Sequence, residues 1–100
     1  MSYRRSRKDN NHDQLANLFR QMGCSAIDMV DTGIPGWPDM AVGVIGKTHL
    51  VEVKNVETAY GRSGLNANQT AFARDWRGEP VEVVCTTEDV IALVNKWRKP

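Results

Sequence analysis

The sequence predicts a single α/β domain on three observations: an amphipathic helical stripe near its start, two β-patterned runs around a glycine turn at its middle, and two more helical stripes separated by a short apolar strand. One hundred residues can enclose one modest core and not two. The expected order is α-β-β-β-α-β-α, with no internal repeat.

The stretch HDQLANLFRQM, residues 12 to 22, places Leu15, Leu18, Phe19 and Met22 at i, i+3, i+4 and i+7, and Gly23 follows as a stop. A helix over 12–22 follows from that spacing. CSAIDMV, residues 24 to 30, is short, apolar and partly β-branched, so it reads as a strand that runs into the rigid Gly- and Pro-rich loop DTGIPGWP. That loop delivers the chain to Asp39. DMAVGVI and THLVEVK then flank Gly46-Lys47, and a two-residue connection with glycine first suits a type II′ hairpin turn.

Beyond a polar connection over 55–64, LNANQTAFARDW offers Asn66 as an N-cap and Gln69 as its capping-box partner, with Phe72, Ala73 and Trp76 on one face of a helix over 67–77. PVEVVC, residues 80 to 85, reads as a strand. Thr86 or Thr87, with Glu88 or Asp89, opens a last helix whose Val90, Ile91, Val94 and Trp97 are expected to face inward.

Composition excludes several classes. Apolar residues make up 41% and charged residues 25%, the balance of a folded globular domain and not of a disordered one. No run approaches the roughly 18 apolar residues of a membrane span, and the N-terminus has no apolar region behind its basic residues, so a cytoplasmic protein is expected. Cys24 and Cys85 lack the paired spacing of a zinc or redox site and read as small buried hydrophobes. The net charge of +1 is unevenly spread: Arg4, Arg5, Arg7 and Lys8 make residues 1–8 a basic arm, and the remainder is acidic. Such an arm is either a solvated tail or a short reach toward phosphates.

With Gly46-Lys47 as the turn, Ile45 pairs with Thr48 and Asp39 lies opposite Lys54. Alternation then puts Asp39, Glu52 and Lys54 on one face, with Asp39 diagonal to Glu52 at roughly 7 Å or less between β-carbons. The other face carries Met40, Val42, Val44, Val51 and Val53 as core, whereas Ala41 and Gly43 leave the acidic face open for a ligand. Two buried carboxylates require pairing or a cation, and oxygen donors suit a hard divalent ion that polarises a phosphoryl oxygen and acidifies bound water. A neighbouring lysine would orient that water or stabilise charge developing on the phosphate. The plainer alternative makes Asp39 a strand-start residue, and Glu52 and Lys54 solvated positions of a half-exposed strand.

WPD, followed 13 residues after its aspartate by EVK, in this order of elements, resembles the PD-(D/E)XK nuclease superfamily. More narrowly, GIPGWPDMAVG, HLVEVKN and LNANQTAFARDWRGEPVEVV resemble the stand-alone phage and bacterial members of the virus-type replication-repair nuclease (VRR-NUC) group, related to Holliday junction resolvases. The likeness runs from about residue 9 to residue 94. It implies a restriction-endonuclease-like domain over 9–100, with a mixed central sheet flanked by helices and an added C-terminal helix.

The resemblance further implies a DNA phosphodiester hydrolase that uses Mg²⁺ or Mn²⁺. Asp39 and Glu52 would hold the ion, Val53 would give it a backbone carbonyl, Lys54 would assist the attacking water, and Gln69 would complete the site. Many members carry a glutamate on the first helix. Here that place falls on His12, beside Asp13, which leaves His12 as a metal ligand, a water-mediated one, or a surface histidine.

Trp37 is expected either to stack on a base or to pack under the sheet. Arg62 and the arginines and lysine of the arm are candidate phosphate contacts, and His49, sharing a face with Val51 and Val53, is expected to be structural. Structure-selective cleavage by a two-fold homodimer is the leading expectation. A non-catalytic nucleic-acid-binding or partner-binding module, and a domain whose acidic pair is incidental, stand beside it.

Overall fold

The computed structural model describes residues 11–29, 31–55 and 64–100. The basic arm with Arg4, Arg5, Arg7 and Lys8, the proposed start of the domain at residue 9, and Arg62 lie outside the described residues.

Helix α1 (His12–Gln21) follows the predicted stripe: Leu15, Ala16 and Phe19 are buried, and Leu18 and Met22 pack at the margin of the core. It ends at Gly23, whose φ of +90° an L side chain rarely adopts, and Arg98 donates to the carbonyl oxygen of Met22. Strands β1 (Ser25–Asp28), β2 (Met40–Val44) and β3 (Lys47–Val53) form an antiparallel meander, and β4 (Glu82–Val84) adds to β3 in parallel, giving the order β1-β2-β3-β4. A parallel neighbour needs a long crossover, and the chain supplies one that contains helix α2 (Ala67–Asp75).

Helix α3 (Thr87–Arg98) starts with a complete capping box, Thr86 and Asp89 each bonding the other's backbone N–H. It lies beside α1 on one face of the sheet, where Phe19 stacks on Trp97 at 6.0 Å and His49 stacks on the same indole at 3.9 Å. Met40, Val42, Val44, Val51, Val53 and Val84 complete that core. The mixed sheet and the buried valine face are as predicted. His49 is buried in this packing, and loss of solvation lowers its imidazole pKa.

Three details differ. Ile91 is exposed and Leu93 takes the inward place, so the stripe of α3 runs 90, 93, 94, 97. Cys85 is half-buried, whereas Cys24 is buried and its thiol pKa is raised by that burial.

The third difference is the hairpin register. Val44 pairs with Lys47 and Met40 with Val51, so the turn is Ile45-Gly46, not Gly46-Lys47. Both residues have positive φ, 51° and 75°, as a type I′ turn requires. Holding a β-branched residue there costs roughly 1–2 kcal/mol. Two hydrogen bonds at the far end, described below, depend on the observed register and offset that cost. Each residue's partner moves by two positions, which leaves every side chain on its predicted face and brings Asp39 directly opposite Glu52.

Candidate active site

The loop before β2 is held from below by α2. A Cβ built at Gly36 would overlap the Asn68 carbonyl, and the φ of +81° also demands glycine, so the loop rests directly on the first turn of α2. Trp37 packs edge-on against Phe72 at 5.1 Å and Trp76 at 5.9 Å, two rings of α2 that stack on each other. It therefore packs against the helix, with its Nε1 buried. Pro38 is fully buried, and the Asp39 carbonyl accepts the Met29 N–H at 2.9 Å. These contacts fix the place from which the Asp39 carboxylate projects.

Asp39 and Glu52 then bond across the hairpin. The Asp39 N–H donates to Glu52 Oε1 at 3.1 Å, and the Val53 N–H donates to Asp39 Oδ2 at 2.7 Å. Glu52 is only 2% exposed, and its second oxygen, Oε2, is buried without a hydrogen-bond partner. Burial, the Asp39 carboxylate's readiness to accept the Glu52 proton, and the negative charge of Asp39 push the Glu52 carboxyl up to about 9, against a downward pull from Lys54. The pair stores an unmet demand for positive charge.

Lys54, one residue beyond β3, is also 2% exposed. Its Nζ donates to Gln69 Oε1 at 3.0 Å, its N–H donates to the Val84 carbonyl at 2.9 Å, and its carbonyl accepts from Asn11 Nδ2 at 3.3 Å. Gln69 also closes the capping box of α2 with Asn66. Glu52 and Lys54 are thus buried side chains, and the solvated-strand alternative does not describe them. The face they share is not simply open, because Leu50 on it is buried as well.

Four predicted residues, Asp39, Glu52, Lys54 and Gln69, meet at one end of the sheet. Val53 contributes its N–H to the Asp39 carboxylate while its side chain faces the core. His12 engages a different acid. It is buried, its Nε2 is 2.7 Å from Asp28 Oδ1, and Asp28 shares the core face of the sheet with its pair partner Met40. Among the described residues, the trio whose ligand atoms all fall within 4.8 Å of one another is His12, Asp13 and Asp28, without Asp39 or Glu52.

Sequence reasoning missed two residues. Asn11 precedes α1 in the N-cap position, yet its side chain makes no cap bond and instead donates to the carbonyls of Lys54 and Cys85, tying the ends of β3 and β4 together. Asp28 partners His12 across 16 residues. Neither contact has a local sequence signal.

The donor set suits a hard cation. Asp39 and Glu52 offer carboxylate oxygens, and the orphaned Glu52 Oε2 is the kind of atom that a divalent ion satisfies. Comparison with protein-family models, with curated proteins and with solved structures finds no match to this chain. Among the described residues no helix is long and apolar enough to cross a membrane.

Proposed function

We propose that the protein is a divalent-metal-dependent nuclease that hydrolyses phosphodiester bonds in DNA. The observation that carries this reading is the buried Asp39–Glu52 pair, with one carboxylate oxygen unpartnered and a buried lysine held beside it. The resemblance of GIPGWPDMAVG and HLVEVKN to PD-(D/E)XK nucleases supports the same assignment.

Asp39 and Glu52 would hold the ion, together with the Val53 carbonyl on the pattern of that family. When bound, Mg²⁺ or Mn²⁺ would supply Lewis-acid stabilisation of the phosphate and a more acidic water. The chain's own contribution is positioning. The Lys54 ammonium, bonded to Gln69, would hydrogen-bond the attacking water or a phosphate oxygen whose negative charge grows as the bond breaks. The hydrogen bonds that lock Asp39 to the β3 backbone keep the two carboxylates opposed and limit reorganisation. Within this reading, branched DNA cut by a two-fold homodimer is the favoured substrate and assembly.

Cleavage of matched four-way junction, flap, linear duplex and single-stranded DNA, with Mg²⁺ or Mn²⁺, tests the proposal. Cutting by the wild type that disappears in Glu52→Gln is the expected result, with paired symmetric cuts in the junction marking a resolvase. Folded protein that binds DNA and cuts none of these substrates would replace the proposal with a nucleic-acid-binding module. One observation favours that second reading: the residue at the place of the family's first-helix glutamate is a histidine engaged with Asp28.

A further inference from the structure

Lys54 is a long side chain, and such a chain fixes a charge only if something holds its rotamers against their entropy. One partner here is an oxygen with two duties. Gln69 Oε1 accepts the Asn66 N–H at 3.0 Å and the Lys54 ammonium at 3.0 Å, while the Gln69 N–H donates to Asn66 Oδ1 at 2.9 Å. The reciprocal pair of bonds between residues 66 and 69 fixes the Gln69 side chain, and the second lone pair of its oxygen is then aimed at the lysine.

Among the described residues α2 buries no side chain fully, so core packing does little to set the angle of its first turn. The same turn also supports the Asp39 loop, because Gly36 passes against the Asn68 carbonyl. One turn of helix thus touches both sides of the acidic site.

We propose that Asn66 is a positioning residue for Lys54: acting through Gln69, the cap of α2 determines where the ammonium stands beside Asp39 and Glu52. The proposal rests on the nuclease reading only in taking Lys54 as the working lysine. Its placement can be measured without cleavage.

The experiment follows acetylation of individual lysines by acetic anhydride, read by mass spectrometry, with exposed Lys47 and Lys99 as internal references. Losing a helix cap changes a local equilibrium by about fivefold. Asn66→Ala is expected to raise Lys54 labelling about fivefold and leave Lys47 and Lys99 unchanged. Asn66→Ser, which can still accept the Gln69 N–H, restores the wild-type rate. Gln69→Ala matches Asn66→Ala, and the double variant labels no faster than either single one, because both remove the same restraint.

Multiplicative effects in the double variant, a Lys54 rate within twofold of wild type in Asn66→Ala, or a parallel rise at all lysines would each overturn the proposal. In a cleavage assay Asn66→Ala lowers kcat severalfold with KM unchanged, and Asn66→Ser recovers it; an equal loss in both variants also overturns the proposal. Wild-type protein that cleaves no DNA would remove the nuclease reading, and the labelling result would still decide the role of Asn66.

Discussion

Replacing Glu52 by glutamine should stabilise the metal-free protein, and by an amount that depends on pH. The amide is nearly isosteric, its Oε1 can keep the bond from the Asp39 N–H, and its Nε2 can donate to the Asp39 carboxylate that faces it. In the wild type the folded Glu52 carboxyl holds its proton up to about 9, whereas in the unfolded chain it ionises near 4.5. A folded pKa raised above the unfolded value gives stability that is fully present below pH 4.5 and lost as pH rises toward 9. Each pH unit in that window removes about 1.4 kcal/mol, so between pH 5 and pH 7 the wild type should lose on the order of 3 kcal/mol that Glu52→Gln retains. In a domain of this size that is a melting difference of roughly 12–24 °C.

Divalent metal should close most of that gap at pH 7. Binding displaces the Glu52 proton, and Mn²⁺ at about 100 times its Kd adds about 2.7 kcal/mol to the wild type and nothing to the variant. Circular-dichroism melts of both proteins from pH 5 to pH 9, in chelator and in Mn²⁺, measure all of this. A stability difference that stays constant across the pH range would refute the burial argument. Equal stabilisation of both proteins by Mn²⁺ would refute Glu52 as a ligand.

Three further perturbations address the scaffold. Ile45→Asn, which places Asn-Gly in the type I′ turn, should raise stability by about 1 kcal/mol and Tm by roughly 4–8 °C; a lower Tm would mean that the turn is not strained. Gly36→Ala should cost at least about 2 kcal/mol, through the positive φ and the overlap with Asn68, and should weaken the Mn²⁺ increment because the Asp39 loop is displaced from α2; a neutral melt would contradict the close approach. His12→Ala should cost roughly 2–4 kcal/mol by opening a cavity and removing a partner of Asp28, with the Mn²⁺ increment intact; loss of that increment would show that His12 reaches the ion.

What was legible in the sequence was what repeats with the period of an element or sits at a fixed local offset. The 3.6-residue stripe of Leu15, Leu18 and Phe19 gave α1, and Asn66 with Gln69 at three residues' spacing gave the start of α2. The strand period of two fixed the faces of the hairpin, and this survived an error of register. Choosing Gly46 as the first turn residue misplaced every partner by two, and a two-residue slip moves no side chain across the sheet. Illegible were the contacts that close over long separations. E-x-K has the same spacing in a solvated strand and in a buried one, so the burial of Glu52 and Lys54 had no signature. The pairing of His12 with Asp28, and of Asn11 with the Lys54 and Cys85 carbonyls, depends on the packing of α1 across the strand ends.

The geometry also bears on how a chain of net charge +1 could face a polyanion. Asn11 sits on the Lys54 and Cys85 carbonyls, Gln69 on the Lys54 ammonium, and Thr86 follows Cys85, so the N-termini of α1, α2 and α3 all lie at the carboxyl end of β3 and β4. Each helix start carries roughly half a positive charge in its first turn. The first turn of α2 holds no acidic residue, whereas Asp13 in α1 and Glu88 and Asp89 in α3 offset the other two, so α2 is the helix start that adds positive potential beside Lys54. In the proposed nuclease, the acidic pair would admit a phosphate only with a cation between them, and the start of α2 together with Lys54 would favour the same arrangement.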